Sequence, residues 1–418
     1  MFWPLELVLR RIIAKGDLAV IDADGQHHVF GDGSGAQVVI RFADKATERA
    51  VALNPQLAVG EAYMRGGLLI EQGDLYEFLN LTMRNLDAHK PPYWFRLLDR
   101  FRLWLRRVQQ FNPAWRSQRN VAHHYDIDGA IYDLFLDPDK QYSCAYFLPG
   151  ADLDEAQEAK KAHIASKLAM APEQDVLDIG SGWGGLSLWL AKHTGASIKG
   201  VTLSSEQLAI AKDRAQKQGL QSCVRFDYED YRHLQGTFDR IVSVGMFEHV
   251  GVNHYARFFR RINELLKQDG VALLHSIGRS DGPGFTNPFI AKYIFPGGYF
   301  PALSEVLPAI ERAGLIVSDV EILRLHYAET LKAWRERFMA RRDEAVRLKG
   351  EAFCRMWEFY LVGSEIAFRH QGLIVFQIQL VKRIDTLPIT RDYMLETERR
   401  YRRGGDQTVE PEHRLAGE

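Results

Sequence analysis

The sequence predicts an α/β protein in which a mostly parallel sheet carries helices on both faces, preceded by a smaller α+β domain. The first observation is length, because 418 residues are enough for two domains. The second is an alternation of strand-like and helical runs from about residue 172, which begins with "DVLDIGSG" and "WGGLSLWLAKHTG". It continues through "SIKGVTLS", "CVRFDYED", "FDRIVSVG" and "GVALLHSIG". Parallel strands need a crossover helix between them, so this pattern favours a Rossmann-like architecture.

Four segments are expected along the chain. Residues 1–90 contain short strand-like runs with tight Asp-Gly turns and end in a helical stretch, which indicates a small α+β domain. Residues 91–120 predict a helical linker, and residues 121–385 hold the main α/β domain. Residues 386–418 lose their periodicity, and we expect this tail to be partly disordered.

Composition and charge exclude several classes of function. The net charge is −1, from 53 basic and 54 acidic residues, which argues against a nucleic-acid-binding protein. The cysteines Cys144, Cys223 and Cys354 are widely spaced, so they predict neither a disulfide framework nor a metal site and fit a reducing, cytoplasmic location. No apolar run approaches the roughly 18 residues that a membrane span needs.

The linker 91–120 is basic and aromatic. From Trp94 to Arg119 it holds seven arginines against one acid, Asp99, with six Trp and Phe rings between them. Arginines suit anionic headgroups and rings suit the membrane interface, so the segment predicts peripheral membrane contact. The alternative is an ordinary interdomain helix with a solvated basic face.

A glycine-rich turn follows the first strand of the main domain. "LDIGSGWGG" places glycine at 180, 182 and 185, which fits a dinucleotide fingerprint. However, Asp178 precedes the glycines, and the second strand ends in Thr202, where a nicotinamide enzyme has an acid. Asp-x-Gly-x-Gly is typical of class I S-adenosylmethionine (SAM) methyltransferases, whose glycines let the backbone approach the cofactor. A nicotinamide site and a purely structural glycine turn are the alternatives.

Strand four predicts a functional carboxylate. In "VGMFEHVG", Glu248 ends an apolar strand, where an unused charge costs free energy. A side chain after this strand faces the crevice at the carboxyl ends of the sheet. We interpret the adjacent His249 as a structural neighbour. Taken alone, His275 would more often be a packed buried histidine, and Tyr327 a packed strand tyrosine.

Six ordered motifs together carry a family resemblance. They are "YSCAYF" (142–147), "VLDIGSGWGGLSLWLA" (176–191), "VTLSSEQ" (201–207), "IVSVGMFEHVG" (241–251), "YIFPGG" (293–298) and "HYAETLKAW" (326–334). Over residues 120–385 the sequence resembles the cyclopropane-fatty-acyl-phospholipid synthases and their mycolic acid cyclopropane synthase relatives. The resemblance implies a Rossmann-like class I SAM methyltransferase fold, with residues 1–90 as a lipid-binding type of amino-terminal domain.

The resemblance also implies a reaction and its partners. The family transfers the SAM methyl carbon to a cis double bond of a phospholipid acyl chain and closes a three-membered ring, with bound bicarbonate as general base. The expected partners are unsaturated phospholipid acyl chains and the inner surface of the cytoplasmic membrane. Dimers occur in the family, so a homodimer is also expected.

The resemblance also implies which positions of this sequence correspond to the family's site residues. The positions that correspond to the bicarbonate site are Cys144, through its backbone, and the side chains of Glu248, His275 and Tyr327, with Ser364 where many relatives have a cysteine. The positions that correspond to the SAM site are Tyr142, Ser143, Gly180, Gly182, Thr202 and Gln207, with Tyr228 and Glu229 against the adenine.

The segment "GSE" at 363–365 departs from the family pattern. If the family contact is a backbone N–H, Ser364 serves equally well. If Glu365 turns inward, it replaces bicarbonate or changes the product to a methyl- or methylene-branched chain without a ring. Two rival functions therefore remain: a fatty-acyl methyltransferase, and a lipid-binding protein with an inactive methyltransferase domain.

Overall fold

The computed structural model describes residues 1–88 and 129–402. The predicted basic linker 91–120 lies outside the described residues, as does the end of the tail from residue 403. In the described part of the chain, no helix is both long enough and apolar enough to cross a membrane.

The amino-terminal residues form a small α+β domain around one four-stranded sheet. Its strands are β1 (Asp17–Ile21), β2 (His27–Gly31), β3 (Gln37–Phe42) and β4 (Leu68–Gln72). Its helices are α1 (Trp3–Ile12), α2 (Lys45–Leu53), α3 (Pro55–Arg65) and α4 (Leu75–Ala88). The strand order is β2-β1-β3-β4, with a β1–β2 hairpin and a parallel β1–β3 pair. The smaller domain expected from the sequence is therefore present.

The main domain is built on a seven-stranded sheet. Its strands are β5 (Asp175–Ile179), β6 (Ser197–Thr202), β7 (Val224–Tyr228), β8 (Phe238–Val244), β9 (Leu266–Arg279), β10 (Ile316–Ile322) and β11 (Leu373–Val381). The order is β10-β11-β9-β8-β5-β6-β7, and β11 is antiparallel to both of its neighbours. The chain order reverses at β5, so the crevice beside the carboxyl end of β5 is where such a sheet binds ligands. The predicted fold class is confirmed.

Helices cover this sheet and join it to the smaller domain. They are α5 (Gly129–Tyr132), α6 (Leu153–Lys167), α7 (Gly185–Thr194), α8 (Ser205–Lys217), α9 (Tyr255–Leu265), α10 (Pro288–Tyr293), α11 (Leu303–Arg312), α12 (His326–Ala340), α13 (Arg342–Lys349), α14 (Glu351–His370) and α15 (Asp392–Arg402). Helix α6 begins with a capping box, in which Asp152 and Glu155 each accept the other's backbone N–H. Helix α15 lies within the tail 386–418, which we expected to be partly disordered.

Helix α14 links the two domains. Val362 and Ile366 belong to the apolar core of the small domain, whereas Trp357 and Leu361 belong to a core of the main domain. A buried helix that contributes to both cores holds the domains in a fixed arrangement.

Candidate active site

Two adjoining cavities open at the carboxyl ends of the central strands. The first has an empty volume of about 910 Å³ and lies beside β5, β6 and β8. Five residues predicted for the cofactor line it: Gly180, Gly182, Thr202, Gln207 and Glu229.

In the glycine loop, backbone atoms rather than side chains form the wall of the first cavity. Gly182 has φ of +53°, and a Cβ built on it would meet no atom within 4 Å, so any side chain there would project into open space. A Cβ on Gly180 would instead lie 2.9 Å from the Cβ of Met246. Both positions therefore need glycine, one for access to the backbone and the other for packing.

Asp178 supports the loop from behind and is not among the residues that line the cavity. It is buried, and Ser187 on α7 donates to its Oδ2 at 2.7 Å. Burial raises the pKa of Asp178 to about 6. The aspartate thus ties the end of β5 to the first turn of α7.

The far wall of the first cavity comes from the end of β6 and from the segment that follows β7. Thr202 Oγ1 donates to Gln207 Oε1 at 3.3 Å, and Glu229 accepts from Lys199 at 2.9 Å. Tyr228 ends β7 and is 50% exposed, so it does not line this cavity. Tyr231 does, three residues further on. The contact of Tyr228 with the adenine stays a prediction, and Tyr231 is an aromatic ring at the cavity wall that sequence reasoning did not single out.

The second cavity brings together residues from widely separated parts of the chain. Its empty volume is about 520 Å³. Six of the predicted site residues line it: Tyr142, Ser143, Cys144, Glu248, His275 and Tyr327. Four of the five positions expected to hold bicarbonate are thus neighbours, and Ser364 is the exception. Tyr142 and Ser143, predicted for the cofactor, line this cavity rather than the first one.

Glu248 contributes an unsatisfied acceptor to the second cavity. It lies in a single 3₁₀ turn (Phe247–His249) directly after β8 and is 6% exposed. Its Oε1 accepts the backbone N–H of Ile277 at 2.6 Å, whereas its Oε2 is buried without a hydrogen-bond partner among the described residues. Burial raises the pKa of Glu248 to about 7, although the Ile277 N–H acts in the opposite direction. Such a carboxyl is suited to accept a hydrogen bond from a ligand.

His275 contributes a donor to the same cavity. It pairs with Gln377 across β9 and β11, and Gln377 Nε2 donates to its Nδ1 at 3.1 Å. The proton of the neutral ring is then on Nε2. Burial, with the charges of Lys160 and Lys167, lowers the pKa of His275 to about 3, so the ring is neutral. Sequence reasoning missed Gln377, since no local pattern marks it.

Tyr327 and Cys144 complete the polar wall. Tyr327 lies in the first turn of α12 and not in a strand as we predicted, and its ring packs on Trp334 and Phe368. Cys144 is 1% exposed, and burial raises the pKa of its thiol well above the usual value. A buried neutral thiol of this kind is a poor nucleophile.

The "GSE" segment does not reach the second cavity. Ser364 is half-buried on α14 and is not among the residues that line either cavity. Glu365 does turn inward, but it accepts from Arg335 at 3.1 Å and from Arg369 at 2.9 Å. Glu365 is thus engaged by two arginines and is not placed to replace an anion in the cavity.

The two cavities meet at Gly245 and His249, which line both. Gly245 has φ of +66°, and a Cβ built on it would meet no atom within 4 Å. Burial lowers the pKa of His249 to about 4, so its ring is neutral. We interpreted His249 as a structural neighbour and overlooked that it lies where the two cavities meet. Its position in the same turn as Glu248 could have indicated this from the sequence.

Aromatic rings form much of the remaining wall. Phe295 and Phe300 line the second cavity beside Tyr142, which stacks on Trp334 with ring centroids 5.1 Å apart. The Tyr142 hydroxyl hydrogen-bonds that of Tyr360 at 2.8 Å. Ring faces attract positive charge.

Comparison with known proteins identifies the family. The profile described as mycolic acid cyclopropane synthetase matches residues 113–378. The chain belongs to this family. A second profile, for a domain of unknown function, matches residues 9–90.

Individual relatives support the assignment. A probable fatty acid methyltransferase of Pseudomonas putida is 40% identical, over 66% of this chain and 73% of its own. The cyclopropane-fatty-acyl-phospholipid synthase of Escherichia coli K12 is 36% identical, over 81% of this chain and 86% of its own. The solved structure of mycolic acid cyclopropane synthase CmaA1 with SAH and CTAB has a TM-score of 0.60 and 32% identity, over 65% of this chain and 99% of its own.

The chain is therefore a SAM-dependent methyltransferase, and the first cavity is lined by five of the residues predicted to bind SAM. Its relatives include both cyclopropane synthases and fatty acid methyltransferases. The family assignment thus leaves the product of the reaction to be proposed from the second cavity.

Proposed function

We propose that this chain is a cyclopropane-fatty-acyl-phospholipid synthase. The observation that carries the proposal is the pairing, in one buried cavity, of an unsatisfied Glu248 Oε2 with the neutral donor ring of His275. Bicarbonate has one hydroxyl to donate and two oxygens to accept, so it matches an acceptor and a donor placed together.

The reaction divides between the two cavities. When bound, SAM supplies an electrophilic methyl and bicarbonate supplies a base that does not trap a cation. The alkene of the acyl chain takes the methyl carbon, and the sulfur–carbon bond breaks to leave S-adenosylhomocysteine. A carbocation then remains on the chain. Ring closure needs the loss of one proton from the new methyl group.

The chain's own residues would orient these groups and exclude water. The Ile277 N–H fixes Glu248 so that its second oxygen is available to a ligand hydroxyl. His275 donates from Nε2, and the Tyr327 ring lies in the same wall. Phe295, Phe300 and the other rings exclude water that would quench the cation, and they stabilise positive charge.

The substrate we propose is an unsaturated phospholipid acyl chain at the cytoplasmic membrane surface. Helix α1 supports this, because it exposes Trp3 (69%) and Leu7 (45%) close to exposed Arg10 and Arg11. An exposed tryptophan and leucine beside arginines suit an anionic lipid interface. The homodimer stays a prediction.

A fatty-acyl methyltransferase is the second candidate. It is favoured by Ser364, which replaces the cysteine of many relatives and lies outside the second cavity. The Pseudomonas putida relative also has a fatty acid methyltransferase name. In this case the cation loses a proton from a neighbouring carbon instead of closing the ring, and the product is a branched chain that keeps a double bond.

Product analysis separates the two candidates. The chain is expressed in bacteria rich in unsaturated phospholipid, and acyl chains are examined by mass spectrometry and proton NMR. The Glu248→Gln variant, which should make no product, serves as the negative control. A gain of one CH₂ with loss of olefinic protons and new upfield ring protons supports the synthase. The same gain with retained unsaturation, or a branched methyl signal, supports the second candidate. Unchanged lipids despite SAM binding refute both.

A further inference from the structure

A buried ammonium group lies directly behind the second cavity. Lys160 on α6 is 1% exposed. Its Nζ donates to Gln141 Oε1 at 2.6 Å and to Ser143 Oγ at 2.9 Å. Both acceptors are neutral, and within residues 1–88 and 129–402 no carboxylate forms an ion pair with Lys160. Ser143 itself lines the cavity.

The neighbouring Lys161 has a different environment from Lys160. Lys161 is also buried, but its Nζ contacts Asp139 at 2.8 Å and Glu158 at 2.5 Å. Asp139 also accepts from Arg214, and Asp137 accepts the backbone N–H of Gln141. Asp139 is thus engaged by Lys161 and Arg214, whereas Asp137 is not within ion-pair distance of Lys160 and acts on it only through its charge. A buried ammonium that no carboxylate contacts directly is costly, and a ligand of opposite charge nearby would lower that cost.

Among its described lining residues, the second cavity lacks a positively charged side chain that could balance a bound anion. Neither lysine nor arginine is among the described residues that line it, and His249 and His275 are both neutral. Glu248 already places a carboxyl there, so a second anion would enter a site without positive charge. The charge of Lys160 does reach this region, because it contributes to the lowered pKa of His275.

Ser143 provides the connection between Lys160 and the cavity. Its Oγ accepts from the ammonium, so its own O–H proton remains to be donated to another group. A hydroxyl polarised by a cation is a stronger donor to an anion than an isolated one.

We propose that Lys160, acting through Ser143, supplies the positive charge that binds a small oxyanion, bicarbonate, in the second cavity. Lys160 is thus a positioning residue that does not touch the reacting carbon atoms. This inference rests on the proposed function, since it assigns a counter-charge to the base of that reaction.

The test compares Lys160→Met with Lys161→Met in the full chain. Binding of [¹³C]bicarbonate is followed by NMR line broadening, and turnover is measured in CO₂-depleted buffer with added bicarbonate. Lys160→Met should raise the half-saturating bicarbonate concentration by about tenfold or more and leave the KM for SAM within about twofold. Lys161→Met should leave bicarbonate binding unchanged, even if its melting temperature falls. Equal bicarbonate binding by Lys160→Met and the wild type overturns the inference.

Two further outcomes are informative. If Lys160→Met does not fold, Ser143→Ala removes the hydroxyl connection and should also weaken bicarbonate binding, whereas an unchanged response overturns the inference. If the wild type neither binds bicarbonate nor needs it for turnover, the bicarbonate part of the proposed function fails, and this inference fails with it. In that case SAM binding and the lipid product would still test the methyltransferase activity separately.

Discussion

Replacing Glu248 by glutamine should abolish turnover and at the same time stabilise the protein above neutral pH. Glutamine keeps the shape of the side chain and can still accept the Ile277 N–H that Glu248 Oε1 accepts at 2.6 Å. It removes only the charge, which the buried site disfavours. The expected result is a variant that binds SAM, folds well and makes no product.

The size of the expected stabilisation follows from the pKa of Glu248. Burial raises the pKa of Glu248 from 4.5 to about 7. At about 1.36 kcal/mol per pH unit, ionising this carboxyl in the folded chain costs roughly 3 kcal/mol. Because the pKa is higher in the folded state, the stability of the wild type is full below pH 4.5 and declines as the pH rises to about 7. Glu248→Gln should therefore match the wild type near pH 4.5 and exceed it by roughly 3 kcal/mol at pH 8.

Melting temperatures between pH 4.5 and 8 test this directly. Glu248→Gln should melt a few degrees above the wild type at pH 8, and the difference should vanish near pH 4.5. Glu311→Gln, on the exposed side of α11, should show no such pH-dependent difference. Calorimetric titration with SAM completes the assay. A glutamine variant less stable than the wild type at pH 8 would show that the carboxylate is paired in the folded chain and refute the reasoning.

Three other predictions follow from the cavities and the surface. Gly245 and Gly219 have similar positive φ angles (+66° and +69°), so Gly245→Ala and Gly219→Ala should each lower the stability by about 1 kcal/mol. Only Gly245→Ala should lower kcat, because its methyl group enters the junction of the two cavities. Glu365→Gln should lower the melting temperature by weakening a buried ion pair but leave the lipid product unchanged; a changed product would place Glu365 in the reaction. Trp3→Ala combined with Leu7→Ala should reduce cosedimentation with anionic vesicles, and unchanged sedimentation would exclude α1 from membrane contact.

The fold class and the glycine loop could be predicted because they depend on residues close together in the chain. The alternation of strands and helices marks the parallel sheet, and Gly180 and Gly182 follow β5 directly. Glu248 was predictable for a similar reason, since the end of a central strand determines where its side chain lies.

The remaining features depend on contacts between distant residues. Gln377 meets His275 across 102 residues, through the register of an antiparallel strand that no local pattern specifies. The helical position of Tyr327 and the exposure of Tyr228 depend on where particular elements begin and end, which sequence patterns locate poorly. The partners of Glu365 come from two helices whose packing is set only by the complete fold.

The junction at Gly245 and His249 has a kinetic consequence. If the nucleotide and the acyl chain bind as proposed, they occupy separate cavities that share these two lining residues. The two substrates can then bind in either order, and the spent nucleotide can be exchanged while a lipid tail stays in place. If the chain also works at a bilayer surface as proposed, this arrangement would let it modify successive acyl chains without returning to bulk water between turnovers.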